Sequence, residues 1–308
     1  MTTNTTGSPS AEPEQVDDIG WPYEVLASTC EYIGANSAEA RLIKFTNNAV
    51  FALSRDPYVI RIAGSDAIAS RAAKVVAVAE WLAKHDMPTV RLLEGIAQPL
   101  AVEGHAVTVW HQVPDVGPRP TGHDLGRIAR RFHTLPDAPD GLPVWDQLGT
   151  VRTRLAAQDV LTDDEREYLA GVTDELEADL AEVDFLLEPG PIHGDVFAGN
   201  LIAGSDGPVL CDFDSTCTGP REWDLTPAAV GRLRFHYPID YHGQLAEGYG
   251  LDILDWPGFP VFRRVRELQL VTSVLPVLRS SPRIREQWRY RFDTFRAGDM
   301  DAVWTTYS

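Results

Sequence analysis

The stretch Pro191-Ile192-His193-Gly194-Asp195-Val196-Phe197-Ala198-Gly199-Asn200-Leu201-Ile202, followed by Val209-Leu210-Cys211-Asp212-Phe213-Asp214, constrains this chain more than any other. It reads as a strand end, a polar turn and two short apolar runs. Ser205-Asp206-Gly207 between those runs is hairpin chemistry. Such a hairpin brings His193, Asp195, Asn200 and Asp212 to one end. Asp195 is a candidate base, and Asn200 and Asp212 are hard oxygen ligands of the kind Mg²⁺ accepts.

A chain of 308 residues exceeds one small domain and suits two lobes. The net charge of −18 argues against nucleic acid or an anionic membrane as partner. An acidic surface would suit a cationic substrate, although solubility explains it more simply. Cys30, Cys211 and Cys217 are too few for a disulfide framework and carry no metal spacing, which fits a reducing cytoplasm. No basic N-terminal segment precedes an apolar run, and no apolar run has membrane-spanning length, so the expected location is cytoplasmic.

Residues 1–19, rich in Thr, Ser, Pro and acids, read as a disordered tail. A short helix over 21–32 precedes three strands, 42–45, 50–54 and 58–62, separated by Asn and Asp-Pro turns. Ile68, Val75, Val76, Ala79 and Leu82 form a helical stripe over 66–85. Further strands are expected at 90–93, 100–102 and 106–110, the last two completing a five-stranded antiparallel sheet. Beyond Pro118 the chain turns helical. Thr121 with Asp124, and Thr162 with Glu165, open helices reaching about His133 and Phe185, with another over 145–157. Later helices are expected at 226–235, 240–248, 259–278 and, after Ser281-Pro282, to about Phe295. His236, Tyr237, Tyr241 and His242 are candidates to touch a substrate, with Asp252, Asp255, Arg264 and Glu267 behind them.

His-x-Asp with Asn five residues after the Asp, then Asp-Phe, matches the catalytic and metal-binding parts of the protein-kinase template. With Gly after the His, the chain resembles the aminoglycoside phosphotransferase and choline kinase family. Gly219-Pro220-Arg221-Glu222-Trp223-Asp224 resembles a variant found in uncharacterised bacterial phosphotransferases. The resemblance implies an α+β, two-lobed, protein-kinase-like fold. It would have a small antiparallel β-sheet N-lobe over 20–113 and a larger, mainly helical C-lobe over 114–308.

The implied activity is transfer of the γ-phosphate of ATP or GTP, with Mg²⁺, to a hydroxyl of an aminoglycoside-like antibiotic or other small polar acceptor. Asp195 would be the base, and Asn200 and Asp212 the metal ligands. Arg61 would stand where the template carries its phosphate-binding Lys. Backbone N–H groups of Asn47 and Asn48 would reach phosphate, and the hinge backbone around His111 and Val113 would meet the base. His193 and Asp224 would support the loop, Asp224 as helix N-cap or loop anchor. The implied partners are nucleotide and acceptor, with no nucleic acid and no membrane, and the protein would be a monomer or homodimer. The chain departs from the family pattern where Val75 takes the place of the Glu that pairs with the phosphate-binding cation. Glu80 lies about 140° further round the helix. That departure, with a first turn lacking Gly-x-Gly, leaves a nucleotide-binding pseudokinase or regulator as the alternative. A metal-dependent phosphohydrolase ranks last, because among the eight His only His193 lies in a motif.

Overall fold

The structure is a computed structural model describing residues 20–45 and 47–307. The expected tail over 1–19 lies outside the described residues. The chain divides into two compact units. One comprises the described residues up to Ala72 together with Leu93–Trp110, and the other Ala73–Leu92 together with the described residues from His111 onward.

In the first unit, helix α1 (Trp21–Ile33) ends at Gly34, whose φ of 71° suits a residue without a Cβ. Strands β1 (Arg41–Phe45), β2 (Asn48–Ala52), β3 (Tyr58–Ala63), β4 (Leu100–Val102) and β5 (His105–His111) form one sheet in the order β1-β2-β3-β5-β4. The β1–β2, β2–β3 and β4–β5 pairs are antiparallel. Val25, Leu26 and Cys30 of α1 pack with Phe51, Ile60, Ile62, Val107 and Val109 in one apolar core. The expected strand at 90–93 does not form. Val90 N–H donates to the Leu210 carbonyl and Leu93 N–H to the Val109 carbonyl, so its backbone serves two different partners rather than one ladder.

Helix α2 (Asp66–Lys84) continues into the second unit, where Trp81 Nε1 donates to the Pro136 carbonyl at 2.8 Å. Helix α3 (Gly122–His133) and helix α5 (Asp163–Ala181) open with the expected capping boxes, Thr121/Asp124 and Thr162/Glu165. Asp146 caps helix α4 (Gln147–Ala157), which leaves Trp145 outside. α5 stops four residues before Phe185, where Glu182 N–H and Val183 N–H close its last turn on the Asp179 and Leu180 carbonyls respectively.

Strands β6 (Gly190–Ile192) and β9 (Cys217–Gly219) pair, as do β7 (Leu201–Gly204) and β8 (Gly207–Leu210). Helices α6 (Glu222–Phe235), α7 (Tyr241–Tyr249), α8 (Phe259–Thr272) and α9 (Pro282–Arg296) follow. α8 ends before 278 because Leu275-Pro276 cannot continue an α-helix and forms a 3₁₀ turn instead. α3 and α7 approach closely enough that a Cβ at Gly126 would meet the Leu245 carbonyl oxygen at 2.4 Å, and one at Gly248 the His123 oxygen at 2.5 Å.

A buried ion cluster ties α6 to α8. Glu267 accepts from Arg234 Nε at 2.6 Å and Nη2 at 3.0 Å, and from Arg263 Nε at 2.7 Å. Glu267→Ala would strand two buried guanidinium groups. A loss of about 3–5 kcal/mol is expected in denaturant titration, and a change below about 1 kcal/mol would show that the cluster is dispensable.

Burial pushes the Cys30 thiol up to about 11 and the Cys217 thiol up to about 12. The unfolded thiols ionise near ~8.5, so above that pH the unfolded chain sheds protons that the folded chain keeps, and folding stability falls. Native protein at pH 8 should leave both thiols unlabelled by iodoacetamide, and unfolding should expose them.

Candidate active site

The hairpin residues are held by one buried carboxylate. Asp224 is fully buried and accepts from His193 N–H at 2.8 Å, Gly194 N–H at 2.7 Å and His133 Nε2 at 2.9 Å. The other ring nitrogen of His133 meets Tyr249 Oη at 2.9 Å, so the chain of bonds runs on into α7. Asp224 therefore anchors the loop. It is not the N-cap, because α6 begins two residues earlier at Glu222, so the expected start at 226 was late.

The rest of the Gly-Pro-Arg-Glu-Trp-Asp segment is also used. Glu222 Oε1 accepts from Leu186 and Leu187 N–H at 2.7 and 2.8 Å, and Trp223 Nε1 donates to the Gly194 carbonyl at 3.1 Å. Gly194 has φ 85°, and a Cβ there would lie 2.2 Å from the Ser215 carbonyl oxygen, which explains Gly between His193 and Asp195.

His193 is buried and donates from Nε2 to the Cys211 carbonyl at 3.1 Å, with Phe132 and Phe213 edge-on to its ring. Asn200, in a 3₁₀ turn, donates from Nδ2 to the Asp195 carbonyl at 2.9 Å, and its own carbonyl accepts from Cys211 N–H. That contact sets residue 200 beside residues 211 and 212. The Asp212 backbone is left-handed, with φ 66°, a conformation Asp tolerates better than most residues. Its carboxylate has neither hydrogen bond nor ion pair among the described residues, and the tethered Asn200 amide nitrogen leaves its oxygen for another partner. A carboxylate without a protein partner beside an amide oxygen suits a hard divalent cation that completes its shell with water and phosphate. No cluster of three or more His, Cys, Asp or Glu side chains that could hold a metal occurs among the described residues.

Asp195 is part-exposed, and its carboxylate lies 3.5 Å from Arg266 Nη2 and 3.5 Å from Asn200 Nδ2. Burial lowers the Arg266 pKa from its ordinary value, while Asp195 opposes that shift.

Sequence reasoning did not single out Arg266. Arg263, Arg264 and Arg266 share one short run, and only the helical turn separates their partners: Glu267 for Arg263, Glu175 for Arg264 and Asp195 for Arg266. Lys74 was missed too. Its Nζ donates to the Asp214 carbonyl and, at 3.0 Å, to the Thr216 carbonyl, fastening α2 to the loop after Asp212. Its neighbour Val75 is buried, and Glu80 is exposed.

In the first unit, Arg61 stands on β3 opposite Val50. The Asn48 amide, turned so that its oxygen faces the guanidinium, accepts from Arg61 Nη2 at 2.6 Å and Nε at 3.2 Å. Asn48 thus begins β2 and does not belong to the preceding turn, whereas Asn47 stays in that turn, exposed. In the segment expected to form the hinge, His111 N–H is taken by the Arg91 carbonyl at 2.8 Å and so is unavailable to a nucleotide. Val113 N–H donates to no backbone carbonyl among the described residues.

A cavity of about 670 Å³ in the second unit is bordered by Phe197 and Ala198 of the loop, by Arg266, and by residues of α6, α7 and α9. His236, Tyr237, Tyr241 and His242 line it, as expected. Asp252, Asp255, Arg264 and Glu267 do not. Asp252 instead holds His242 Nε2 at 2.9 Å.

The profile of the phosphotransferase enzyme family matches residues 39–268. The chain belongs to this family. No curated protein matches it by sequence. Among solved structures, the amicoumacin kinase hAmiN in complex with AMP-PNP, Ca²⁺ and Ami is 16% identical with a TM-score of 0.64, covering 87% of this chain and 90% of that one. A choline/ethanolamine kinase family protein from Mesorhizobium loti is 14% identical with a TM-score of 0.63, covering 90% and 93%. The spectinomycin phosphotransferase APH(9)-Ia, solved with ADP and spectinomycin, is 16% identical with a TM-score of 0.54, covering 84% and 88%. At these identities the likeness establishes the fold. This phosphotransferase has the expected α+β, protein-kinase-like fold with a small antiparallel sheet and a larger helical portion. No helix among its described residues is long and apolar enough to cross a membrane.

Asp224→Ala would leave the His193 and Gly194 N–H groups and His133 without their shared acceptor. The expected cost is about 3–5 kcal/mol of stability, with faster amide exchange at residues 193–195. Unchanged exchange there would show that the loop holds itself.

Proposed function

We propose that this phosphotransferase moves the γ-phosphoryl group of ATP or GTP to a hydroxyl of a small-molecule acceptor, whether an aminoglycoside-like antibiotic or another small polar compound. The observation that carries this reading is the Asp195 carboxylate, part-exposed next to a closed set of loop bonds and linked through Arg266 to the wall of the 670 Å³ cavity. Asp195 orients the acceptor hydroxyl and takes its proton as the oxygen bonds to the γ-phosphorus. The bond from that phosphorus to the bridging oxygen breaks, and the nucleoside diphosphate leaves.

Asn200 and Asp212 would hold Mg²⁺, which neutralises charge on the nucleotide phosphates. Arg61, steadied by Asn48, meets the α- and β-phosphates, and the fork of its guanidinium suits two oxygens at once. Asn47 N–H serves phosphate, and Val113 N–H serves the base. The N-lobe reading over 20–113 and the C-lobe reading over 114–308 assign nucleotide binding to the sheet and acceptor binding to the helices. The same reading carries a cytoplasmic location, where nucleoside triphosphates are supplied, and a monomer or homodimer.

Asp195→Ala should lower kcat by about 10²–10⁴-fold, the range for loss of a positioned base. Calorimetry with Mg·nucleotide should show binding unchanged. Turnover retained in that variant refutes the assignment of Asp195. Nucleotide binding without turnover on any acceptor, in the unaltered protein, would favour the pseudokinase.

A further inference from the structure

Among the described residues the cavity lining holds one carboxylate, Asp240, against three arginines, Arg232, Arg266 and Arg291, so the chain's acidic side chains do not gather there. Arg232 lies 3.6 Å from Asp240, and Arg266 faces Asp195, so those pairs are internally balanced. Arg291 is different. It is 2% exposed, and its charge has no carboxylate within ion-pair distance among the described residues. Its Nη2 donates to the Thr305 carbonyl, and its guanidinium lies 3.7 Å from the centre of the Tyr307 ring. Its Nε and the Tyr307 hydroxyl are both buried without a hydrogen bond of good geometry among the described residues, although the two side chains stand close enough to interact with each other.

A buried, always-charged group with an unused donor is costly unless something completes it. Burial pushes the Tyr307 phenol up to about 12, so it stays a neutral donor beside Arg291. The remaining wall is aromatic and apolar. Tyr237 is stacked on Phe235 at 5.5 Å and stands within electrostatic reach of both Arg266 and Arg291. Phe197, Tyr237 and Ile239 are 43%, 45% and 46% exposed respectively. Three such side chains around one opening are what a flat apolar ligand covers. A polycation would meet the reverse of what it needs here, since ammonium groups require carboxylates and the lining offers one, already paired.

We infer that the acceptor is a hydroxyl compound with a planar apolar body and an anionic group, its carboxylate received by Arg291 and Tyr307 and its rings by Phe235 and Tyr237. This rests on the phosphotransferase reading for the word acceptor, but the ligand class follows from the cavity alone. Polycationic amino sugars are correspondingly poor ligands.

The test is a calorimetric titration of the full chain, without nucleotide, against hydroxylated aromatic carboxylic acids, their matched neutral carboxamides, and kanamycin. The acids should bind about tenfold or more tighter than their carboxamides, the discrimination expected of one charge-assisted contact. Kanamycin should bind more weakly than either. Arg291→Met should abolish the preference for acid over carboxamide, while Arg291→Lys should keep part of it. Should Arg291→Met not fold, Tyr237→Ala, at the exposed rim, serves instead. It should weaken acid and carboxamide alike and leave their ratio intact. Kanamycin binding tighter than the acids, equal binding of acid and carboxamide, or no binding of the acids each overturns the inference. Because the titration needs no nucleotide, an acid preference found there, with no phosphoryl transfer to the same acids in a separate assay with Mg·ATP and Mg·GTP, would count against the kinase reading and leave the ligand class standing.

Discussion

The Asp224 carboxylate is the interaction on which the rest depends. A buried anion is tolerated only where donors surround it, and here two backbone N–H groups of the loop after β6 and one imidazole do so. Accepting from consecutive residues, 193 and 194, fixes the loop where it leaves β6. Asp195 therefore starts from a defined backbone position, and Asn200 bonds back to its carbonyl. The anchor is shared through His133 and Tyr249 with α7, whose first residues border the cavity. One carboxylate so ties the Asp195 loop and the cavity wall to a common reference.

A second theme is the substitution of one fastening for another. In the expected match to the family pattern Val75 stands where an acid is usual, and it is buried. The adjacent Lys74 reaches instead to the carbonyls of Asp214 and Thr216, behind the Asp212 turn. The helix still fixes the loop, but through a cation on backbone carbonyls. Arg61 meanwhile takes its support from the amide of Asn48, a neighbour across β2 and β3.

Much of this was legible in the sequence, and the reason is local. The five-residue step from Asp195 to Asn200 and the Asp-Phe after a hairpin are short-range patterns whose geometry follows from chain spacing. The capping boxes at Thr121 and Thr162 are equally local. Misreadings came where tertiary partners decide. Residues 90–93 have strand composition, yet their hydrogen bonds go to Leu210 and Val109. The stretch 259–278 has helical composition, yet Pro276 ends it. Of the two roles open to Asp224, cap or loop anchor, Glu222 starting the helix leaves the anchor. Arg266 and Arg291 carried no signal, because the cavity draws its wall from α3, α6 to α9 and the last residues of the chain, far apart in sequence.

Helix α6 carries Asp224 in its first turn and Phe235 at its last residue. Between residues 224 and 235 an α-helix rises about 16 Å. The helix is thus a ruler, with the loop anchor at one end and the aromatic wall of the cavity at the other. Its length, set by backbone geometry and not by side-chain choice, bounds how far a ligand seated on Phe235 must extend to present a hydroxyl to the loop. Exchanging side chains along its final turns would retune what is held without moving the zero mark.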